Sequence, residues 1–330
     1  MLNEMNHIPD AFLDASAEHL HEILPAPTLF HLPGINPQPI FLSTLLHGNE
    51  TTGLYAIQRL LKKYQNEDLP RAISLFIGNI TAARENMRRL DGQDDYNRIW
   101  PGSHHNDSPE KDMMQTVTNI MKKKKPFASI DIHNNTGKNP HYGCINNLNP
   151  HALVLASEFS DIAVYFTDPK GVQSSAFSDF CPAVVLECGQ SGNRSGEDHA
   201  LSYLEKILRL DNLSSHNSNK LKLYHTIARV LIPQTISIGD NGDLRLNHQL
   251  EEKNFHQIQP GTKFAELHST KEKQIIVSSE SHEDITEEYM EITQDKILFK
   301  KPVTLSMFTS DERAIMQDCA CYFMEELHIG

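Results

Sequence analysis

The chain has 330 residues, enough to bury one large or two modest hydrophobic cores. Hydrophobic residues make up 39% and charged residues 22%, a composition that excludes a fibrous or largely disordered protein. The 43 acidic and 30 basic residues give a formal net charge of -13. Because this charge repels a phosphate backbone, we expect no nucleic-acid partner.

The sequence gives no sign of a membrane span or an oxidising compartment. No apolar run approaches the roughly 18 residues that a membrane span requires. Residues 1–7 lack a basic region followed by an apolar stretch. The five cysteines are odd in number and contain no C-x-x-C, so a disulfide framework or a structural zinc knuckle is poorly supported. We expect a cytoplasmic protein without membrane contact.

Strands and helices alternate along the first two thirds of the chain. Residues 39–46 form an apolar run of strand length, and Leu54, Ile57, Leu61 and Tyr64 then recur at helical spacing. This alternation predicts an α/β domain with a mixed, mostly parallel sheet covered by helices. The other predicted strands are residues 72–77, 127–132, 162–166 and 183–186, and the other predicted helices are a short surface helix within 11–24, residues 108–124, a helix that starts at 149–150, and residues 197–210.

The sequence changes in character near residue 215, where we place a boundary between a catalytic domain, 1–215, and a smaller β-rich domain, 216–330. After this point short apolar runs alternate with polar turns, without a helix among them. Thr309-Ser310-Asp311-Glu312 is a capping-box pattern that predicts a last helix reaching to about Leu327. The predicted strands of this domain are residues 221–232, 235–238, 244–246, 273–277 and 297–299.

Three H-x-x-E pairs occur, and their context distinguishes them. His19/Glu22 and His248/Glu251 lie in polar segments, whereas His47/Glu50 follows an apolar strand and precedes a helix. Ligands of parallel sheets bind beyond the carboxyl ends of the strands. His47/Glu50 is therefore the pair that the predicted fold presents to a crevice.

Two further strands lead directly into chemically useful side chains. The predicted strand 127–132 is followed by His133, and the predicted strand 183–186 is followed by Glu187. Two imidazoles and a carboxylate can hold zinc with one position open for water, and a second carboxylate can take the proton of that water. The pattern indicates a hydrolytic site. Taken singly, each histidine is compatible with a solvated loop residue, and Glu187 with a partner of Arg194 or a cap of the helix that follows.

Four sequence blocks, in this order, resemble the succinylglutamate desuccinylase and aspartoacylase family of zinc carboxypeptidase-like enzymes. The resemblance covers the predicted catalytic domain and extends weakly into the C-terminal domain, at residues 260–265. The blocks are Leu45-Leu46-His47-Gly48-Asn49-Glu50-Thr51-Thr52-Gly53, Asn97-Arg98, Asp131-Ile132-His133-Asn134-Asn135-Thr136 and Leu186-Glu187-Cys188-Gly189.

The resemblance implies a role for each matching residue. His47, Glu50 and His133 would hold one zinc ion per chain, and Glu187 would be the general base that later donates a proton to the leaving amine. The implied substrate-binding residues are Arg88, Asn97, Arg98 and Asn134.

Arginines cluster in the loop after the second predicted strand. Arg84, Arg88, Arg89 and Arg98 lie within 15 positions, and an anionic substrate needs such a local field in a protein of charge -13. Asn97-Arg98 matches the substrate-carboxylate pair of the family, and Arg88 or Arg89 matches a second arginine. Acidic residues in the same loop leave open the alternative of surface ion pairs.

The sequence also departs from the family. Its amino-acid deacylases usually carry another arginine shortly before the catalytic glutamate, yet residues 176–182 contain none.

The sequence as a whole predicts a zinc hydrolase that cleaves the amide of a small, anionic N-acyl substrate. A carboxypeptidase acting on short peptides and a non-catalytic metal-binding or ligand-binding relative stay open as alternatives, as does assembly into a homo-oligomer.

Overall fold

The structure is a computed structural model that describes residues 2–214, 220–268 and 274–328. The chain divides into two compact units. The first unit is Met1–Asn134 and His141–Lys222, and the second is Asn135–Pro140 and Leu223–Gly330. The predicted boundary near residue 215 and the predicted start of a strand at residue 273 lie outside the described residues.

The first unit is built on a mixed, mostly parallel sheet, as the sequence predicts. Its strand order is β1-β2-β4-β3-β5-β8-β6-β7. The pairs β1–β2, β3–β4, β3–β5 and β6–β7 are parallel, whereas β2–β4 and β6–β8 are antiparallel. The strands are β1 Asn3–Met5, β2 Thr28–Leu32, β3 Asn36–Thr44, β4 Arg71–Ile77, β5 Ala128–Asn135, β6 Tyr142–Ile145, β7 Ile162–Tyr165 and β8 Ala183–Gln190.

Helices connect these strands and begin where the sequence places capping residues. The hydroxyl of Ser108 accepts a hydrogen bond from the Lys111 N–H at the start of α3, and the Asn149 side chain accepts from the His151 N–H at the start of α4. Both helices carry a proline in the first turn, where no N–H is needed. The helices are α1 Thr52–Lys63, α2 Ile80–Arg84, α3 Pro109–Lys124, α4 Pro150–Phe159, α5 Gln173–Ser178 and α6 Arg194–Leu208.

The structure corrects three predictions in this unit. The two strands predicted to end before His133 and Glu187 continue through both residues, to Asn135 and Gln190. His133 and Glu187 are both buried, and each lies within its strand and not in a loop after it. The short surface helix predicted within residues 11–24 is replaced by two 3-10 turns, Asp10–Asp14 and Leu20–Glu22, whose apolar side chains point into the core.

The second unit contains two antiparallel sheets. In one of them β9, β17, β16 and β11 follow each other, and β13 pairs with β9. The other has the order β10-β12-β15-β14. The elements are β9 Lys222–Leu231, β10 Leu244–Leu246, β11 Gln257–Ile258, β12 Lys263–Leu267, β13 Ile276–Ser279, α7 Thr286–Tyr289, β14 Met290–Ile292, β15 Lys296–Phe299, β16 Val303–Ser306, α8 Glu312–Gln317 and β17 Cys321–Glu326, with a 3-10 turn at His248–Lys253.

The prediction of a long last helix is wrong. Asp311 caps a short helix, α8, by accepting a hydrogen bond from the Ala314 N–H, and strand β17 follows. Residues 321–324 are all buried, so these consecutive side chains need cover on both faces. A strand between β9 and β16 provides that cover, whereas a helix would bury a single stripe.

Other predictions for this unit are also corrected. Residues 235–238 form no strand and contribute one isolated bridge, between Ile238 and Leu244. The expectation of no helix before the last one is wrong, because α7 and the 3-10 turn at His248–Lys253 lie there. Strands β11, β12, β14 and β16 were not predicted, since two to five residues carry too little periodicity to be recognised.

Candidate active site

The loop between β3 and α1 places His47 and Glu50 in the interior. The two residues are 3% and 8% exposed. Gly48 lets this loop approach α2, because a Cβ at this position would lie 2.1 Å from the Ala83 backbone nitrogen. The Gly48 N–H also donates to the Arg88 carbonyl at 3.1 Å. A side chain at position 48 would therefore displace the loop that carries both candidate ligands.

His133 reaches the same place from β5, the strand next to β3. Its Nδ1 lies 2.7 Å from Glu50 Oε2, and His47 Nδ1 lies 2.7 Å from Glu50 Oε1. One ligand atom from each of the three residues lies within 4.8 Å of the others, as a metal site requires. The Asn134 N–H donates to Glu50 Oε2 at 3.1 Å and so helps to hold the carboxylate between the two rings.

The ring nitrogens that face away from Glu50 contact two further buried carboxylates. His47 Nε2 lies 3.1 Å from Asp95 Oδ1, and His133 Nε2 lies 2.7 Å from Asp131 Oδ2. An Nε2–H that donates to a carboxylate leaves the Nδ1 lone pair pointing toward the glutamate. Two such lone pairs facing one carboxylate need a cation between them. This donor set fits a divalent metal ion bound by both Nδ1 atoms and Glu50.

The charges of the site agree with that fit. Glu50, Asp95 and Asp131 are three buried carboxylates. Burial raises the pKa of Glu50, but His47 and His133 outweigh this effect and hold it below its ordinary value. Burial lowers the pKa of His133, but Asp131 and Glu50 raise it well above the ordinary value of histidine. The site thus favours positive charge next to Glu50, which a bound divalent cation supplies.

Arg88 lies beside the candidate metal site with its guanidinium on Asp95. Its Nε and Nη2 donate to Asp95 Oδ2 at 3.2 and 3.0 Å, and its Nη1 lies 3.8 Å from Glu50 Oε1. Two other arginines of this loop take up separate contacts. Arg84 is largely exposed and lies 3.4 Å from Glu85, and Arg89 Nη1 donates to the Gln93 carbonyl at 2.8 Å.

Asn97 and Arg98 lie in the same loop as Arg88. Asn97 is 7% exposed, with its Nδ2 3.3 Å from His133 Nε2, and its Oδ1 accepts from the Gln173 N–H at 2.9 Å. Arg98 Nη1 donates to the Asn97 carbonyl at 2.8 Å. The structure therefore brings Asn97 against one of the two candidate ligand histidines, with Arg98 next to it.

The side-chain amide of Asn134 connects two elements of the site. Its Oδ1 accepts from the Thr52 N–H at 3.2 Å, and its Nδ2 donates to Thr52 Oγ1 at 2.9 Å and to the Gly189 carbonyl at 2.8 Å. Thr52 is the first residue of α1, two positions after Glu50, and Gly189 follows Glu187 on β8 by the same distance. Asn134 thus ties the strand of Glu187 to the loop of Glu50.

Glu187 lies on β8, which is adjacent to β5 in the sheet. It is 6% exposed and directly opposite Tyr142 in the β6–β8 pair. Its charge adds to burial in raising the pKa of Cys144 and of Cys188. Glu187 is therefore a buried carboxylate on the strand next to the one that carries His133.

Glu187 could have been the cap of helix α6 or the partner of Arg194, but the structure gives both other contacts. The cap of α6 is Asn193, whose side chain accepts from the Ser195 N–H. Arg194 is largely exposed, and its Nε lies 3.7 Å from Asp198. Cap and arginine both have other partners.

The two other H-x-x-E pairs lie in surface turns. His19 Nδ1 lies 2.9 Å from Ser16 Oγ, and His248 and Glu251 belong to the exposed 3-10 turn of the second unit. Within residues 2–214, 220–268 and 274–328, His47, Glu50 and His133 form the one group whose ligand atoms meet the distance requirement for a metal.

Asp95 and Asp131 are site residues that the sequence analysis missed. Each lies two positions before a predicted site residue, Asn97 or His133. Alternation along a strand puts residues i and i+2 on the same face, so D-x-H on a predicted strand was the signal for Asp131. No comparable rule applies to Asp95, which lies in an irregular loop.

The fold and the site together define an α/β protein with a buried His-Glu-His group that could hold a metal ion. The family profile described as succinylglutamate desuccinylase/aspartoacylase catalytic domain matches residues 38–209, more than half of the chain. The chain therefore belongs to this family. A search of the curated proteins finds no significant match.

Solved structures with the same fold include two bacterial enzymes and one from mouse. The succinylglutamate desuccinylase of Chromobacterium violaceum is 16% identical, with a TM-score of 0.59, over 89% of this chain and 87% of that one. The succinylglutamate desuccinylase/aspartoacylase of Rhodobacter sphaeroides is 13% identical, with a TM-score of 0.60, over 90% and 88%. Murine aminoacylase 3 is 15% identical, with a TM-score of 0.59, over 89% and 97%.

Among the helices of the described residues, none combines the length and the apolar character needed to cross a membrane.

Proposed function

We propose that the protein is a zinc-dependent hydrolase that cleaves the amide bond of a small N-acylated, carboxylate-bearing substrate, as an N-acyl amino acid deacylase does. The observation that carries this proposal is the convergence of His47, Glu50 and His133 next to the strand of Glu187. Family membership and the names of the structural relatives, which are desuccinylases and an aminoacylase, support it. We assign catalysis to residues 1–215.

The choice of zinc follows from the donor atoms. Two imidazole nitrogens and one carboxylate, with a further position for solvent or substrate, are a common catalytic zinc set. When bound, zinc would polarise the acyl carbonyl and increase the acidity of water. Asp95 and Asp131 would keep the Nδ1 lone pairs of His47 and His133 directed at the ion.

Glu187 would move the protons of the reaction. Its carboxylate would take a proton from the attacking water as the new C–O bond forms. It would then give this proton to the amide nitrogen as the C–N bond breaks, so that the products are a free carboxylic acid and an amine. Burial supports this role, because few water molecules can compete with the substrate for contact with an enclosed carboxylate.

Arg98 and Asn97 would bind the carboxylate of the substrate. A guanidinium presents a planar pair of donors that matches a carboxylate, and the Asn97 amide lies in the same loop as Arg98, 3.3 Å from His133 Nε2. Residues 176–182 hold no arginine. A second carboxylate on the substrate would then lack one cationic partner, which favours substrates with a single carboxylate.

A substrate screen tests the proposal. The zinc-loaded protein is incubated with a panel of N-acyl amino acids, including N-acetyl, N-succinyl and longer acyl groups, and with dipeptides as the matched set for the carboxypeptidase alternative. We expect turnover of the N-acyl amino acids to exceed that of the dipeptides. Preferred cleavage of dipeptides would favour the carboxypeptidase, and bound zinc without turnover of either set would favour the non-catalytic relative.

A further inference from the structure

Asp95 uses both of its carboxylate oxygens on groups of the candidate site. Oδ1 lies 3.1 Å from His47 Nε2 and accepts from the Asn97 N–H at 2.8 Å, while Oδ2 accepts the two hydrogen bonds from Arg88. The residue is 8% exposed, so little water competes for these contacts.

Asp95 also shapes the backbone that carries Arg98. The Asn97 N–H donates to the Asp95 side chain, and the Arg98 N–H donates to the Asp95 carbonyl at 2.8 Å. These two bonds make a tight turn over residues 95–98, closed by the aspartate that starts it. The carboxylate that orients one candidate metal ligand is thus the one that closes the turn before the proposed substrate arginine.

Asp131, the corresponding partner of His133, has no such connection. Its second oxygen accepts a hydrogen bond from the neutral hydroxyl of Ser43 at 2.7 Å. Ser43 and Asp131 lie opposite each other on the neighbouring strands β3 and β5, which hold them independently of the loop. The two histidines therefore have different backing. His47 contacts Asp95, which lies in the loop of Asn97 and Arg98 and is paired with Arg88. His133 contacts Asp131, which is held within the sheet.

We propose that Asp95 is a positioning residue that couples metal binding at His47 to the placement of Asn97 and Arg98, and that Arg88 acts on the site through Asp95. The inference rests on the proposed function for the assignment of the metal and substrate subsites. Fixing the His47 ring at Nδ1 also fixes its Nε2–H against Asp95, and with it the turn 95–98. Arg88 keeps the carboxylate in place by its two hydrogen bonds and balances its charge.

The coupling is measured by amide hydrogen exchange on the full chain, zinc-free and loaded with zinc alone. In the unmodified protein we expect zinc to slow exchange of the Asn97 and Arg98 amides by about tenfold or more, because opening of the turn then also disturbs a ligand ring. Asp95→Ala should abolish this zinc-dependent protection. Ser43→Ala is the matched control at the other histidine, and it should retain the protection.

Arg88 is tested by a pair of substitutions in the same assay. Arg88→Lys keeps the positive charge but loses the paired donors, so it should retain only part of the protection, whereas Arg88→Gln loses both and should reduce it further. A merely structural role of the turn would change exchange equally with and without zinc. Equal protection by zinc in the Asp95→Ala and unmodified proteins, or none in the unmodified protein, would overturn the proposal.

If Asp95→Ala does not fold, the unmodified protein and Arg88→Gln carry the same comparison. Zinc is the only ligand in this assay, so the coupling can be tested without any substrate. If the protein shows the coupling but hydrolyses no amide, the proposed function is wrong and the coupling still holds. An active deacylase without zinc-dependent protection of residues 97–98 would overturn the coupling alone.

Discussion

Asp131 and His133 lie two residues apart on one strand, and the carboxylate of the first holds the imidazole of the second at 2.7 Å. Alternation of side chains along the strand puts both on one face, so the strand itself sets this geometry. The aspartate is fully buried and its other oxygen accepts from Ser43. The ring of His133 therefore has a fixed orientation toward Glu50.

Removing the charge of Asp131 should weaken metal binding without removing a ligand. Asp131→Asn keeps the size of the side chain but presents a weaker acceptor to His133 Nε2, so we expect zinc affinity to fall by roughly 10- to 100-fold. Competition with a chromophoric chelator measures this change. Ser43→Ala, which leaves the carboxylate in place, should have a smaller effect, and equal losses in the two variants would contradict this role of Asp131.

His133 itself should be essential for metal binding. His133→Ala removes one of the three candidate ligands, so we expect a larger loss of zinc affinity than for Asp131→Asn, and cobalt or nickel should show the same order of variants. His248→Ala is the control, because it changes a different H-x-x-E pair, His248/Glu251. If His248→Ala loses the metal and His133→Ala retains it, the ligands have been assigned to the wrong pair.

Substitution of Arg98 should separate geometry from charge. Arg98→Lys keeps the positive charge but loses the paired donors of the guanidinium, so a charge-assisted hydrogen bond worth about 1.5–3 kcal/mol is lost. This corresponds to a decrease in kcat/KM of about ten- to over a hundredfold on the best substrate. Steady-state kinetics measure it, and unchanged kinetics would leave Arg98 as a residue of the loop structure.

Glu187→Gln should separate proton transfer from metal binding. The amide cannot accept the proton of the attacking water, so we expect kcat to fall by roughly 10²- to 10⁴-fold while zinc content and melting temperature stay close to those of the unmodified protein. All three quantities are measured on one sample. Loss of zinc would show that Glu187 is a ligand, and a lower melting temperature with normal kcat would show a structural role.

The role of Asn134 can be decided between substrate binding and positioning. Asn134→Ala leaves buried partners at Thr52 and Gly189 unsatisfied, at a cost of about 1–3 kcal/mol for each buried group. At roughly 2–4 °C per kcal/mol for a unit of this size, the melting temperature should fall by several degrees. Zinc affinity should fall as well, because the Glu50 loop loses its tie to β8. An increased KM with unchanged melting temperature would instead assign Asn134 to substrate binding.

Much of the first unit could be predicted because its elements carry strong local signals. The Ser-Pro and Asn-Pro pairs mark the starts of α3 and α4, and the apolar runs of β3 and β4 mark buried strands. The second unit was harder, because its strands are short and their pairing is not local. Residues 312–326 show the limit. A capping pattern predicts a helix there, but only the first part of the segment is helical, and the four consecutive buried residues lie in strand β17.

The candidate site divides in the same way. The sequence by itself was enough to propose the chemical groups, His47, Glu50, His133 and Glu187, because each follows or ends a predicted apolar strand that a parallel sheet presents at one edge. Tertiary structure alone decided that Glu50 lies between the two Nδ1 atoms, with Asp95 from an irregular loop behind His47. It also decided that Asn134 forms hydrogen bonds with Thr52 and Gly189. In the same way it decided that Arg88 forms hydrogen bonds with Asp95. These contacts join residues up to 83 positions apart, and their formation depends on packing that no local pattern encodes.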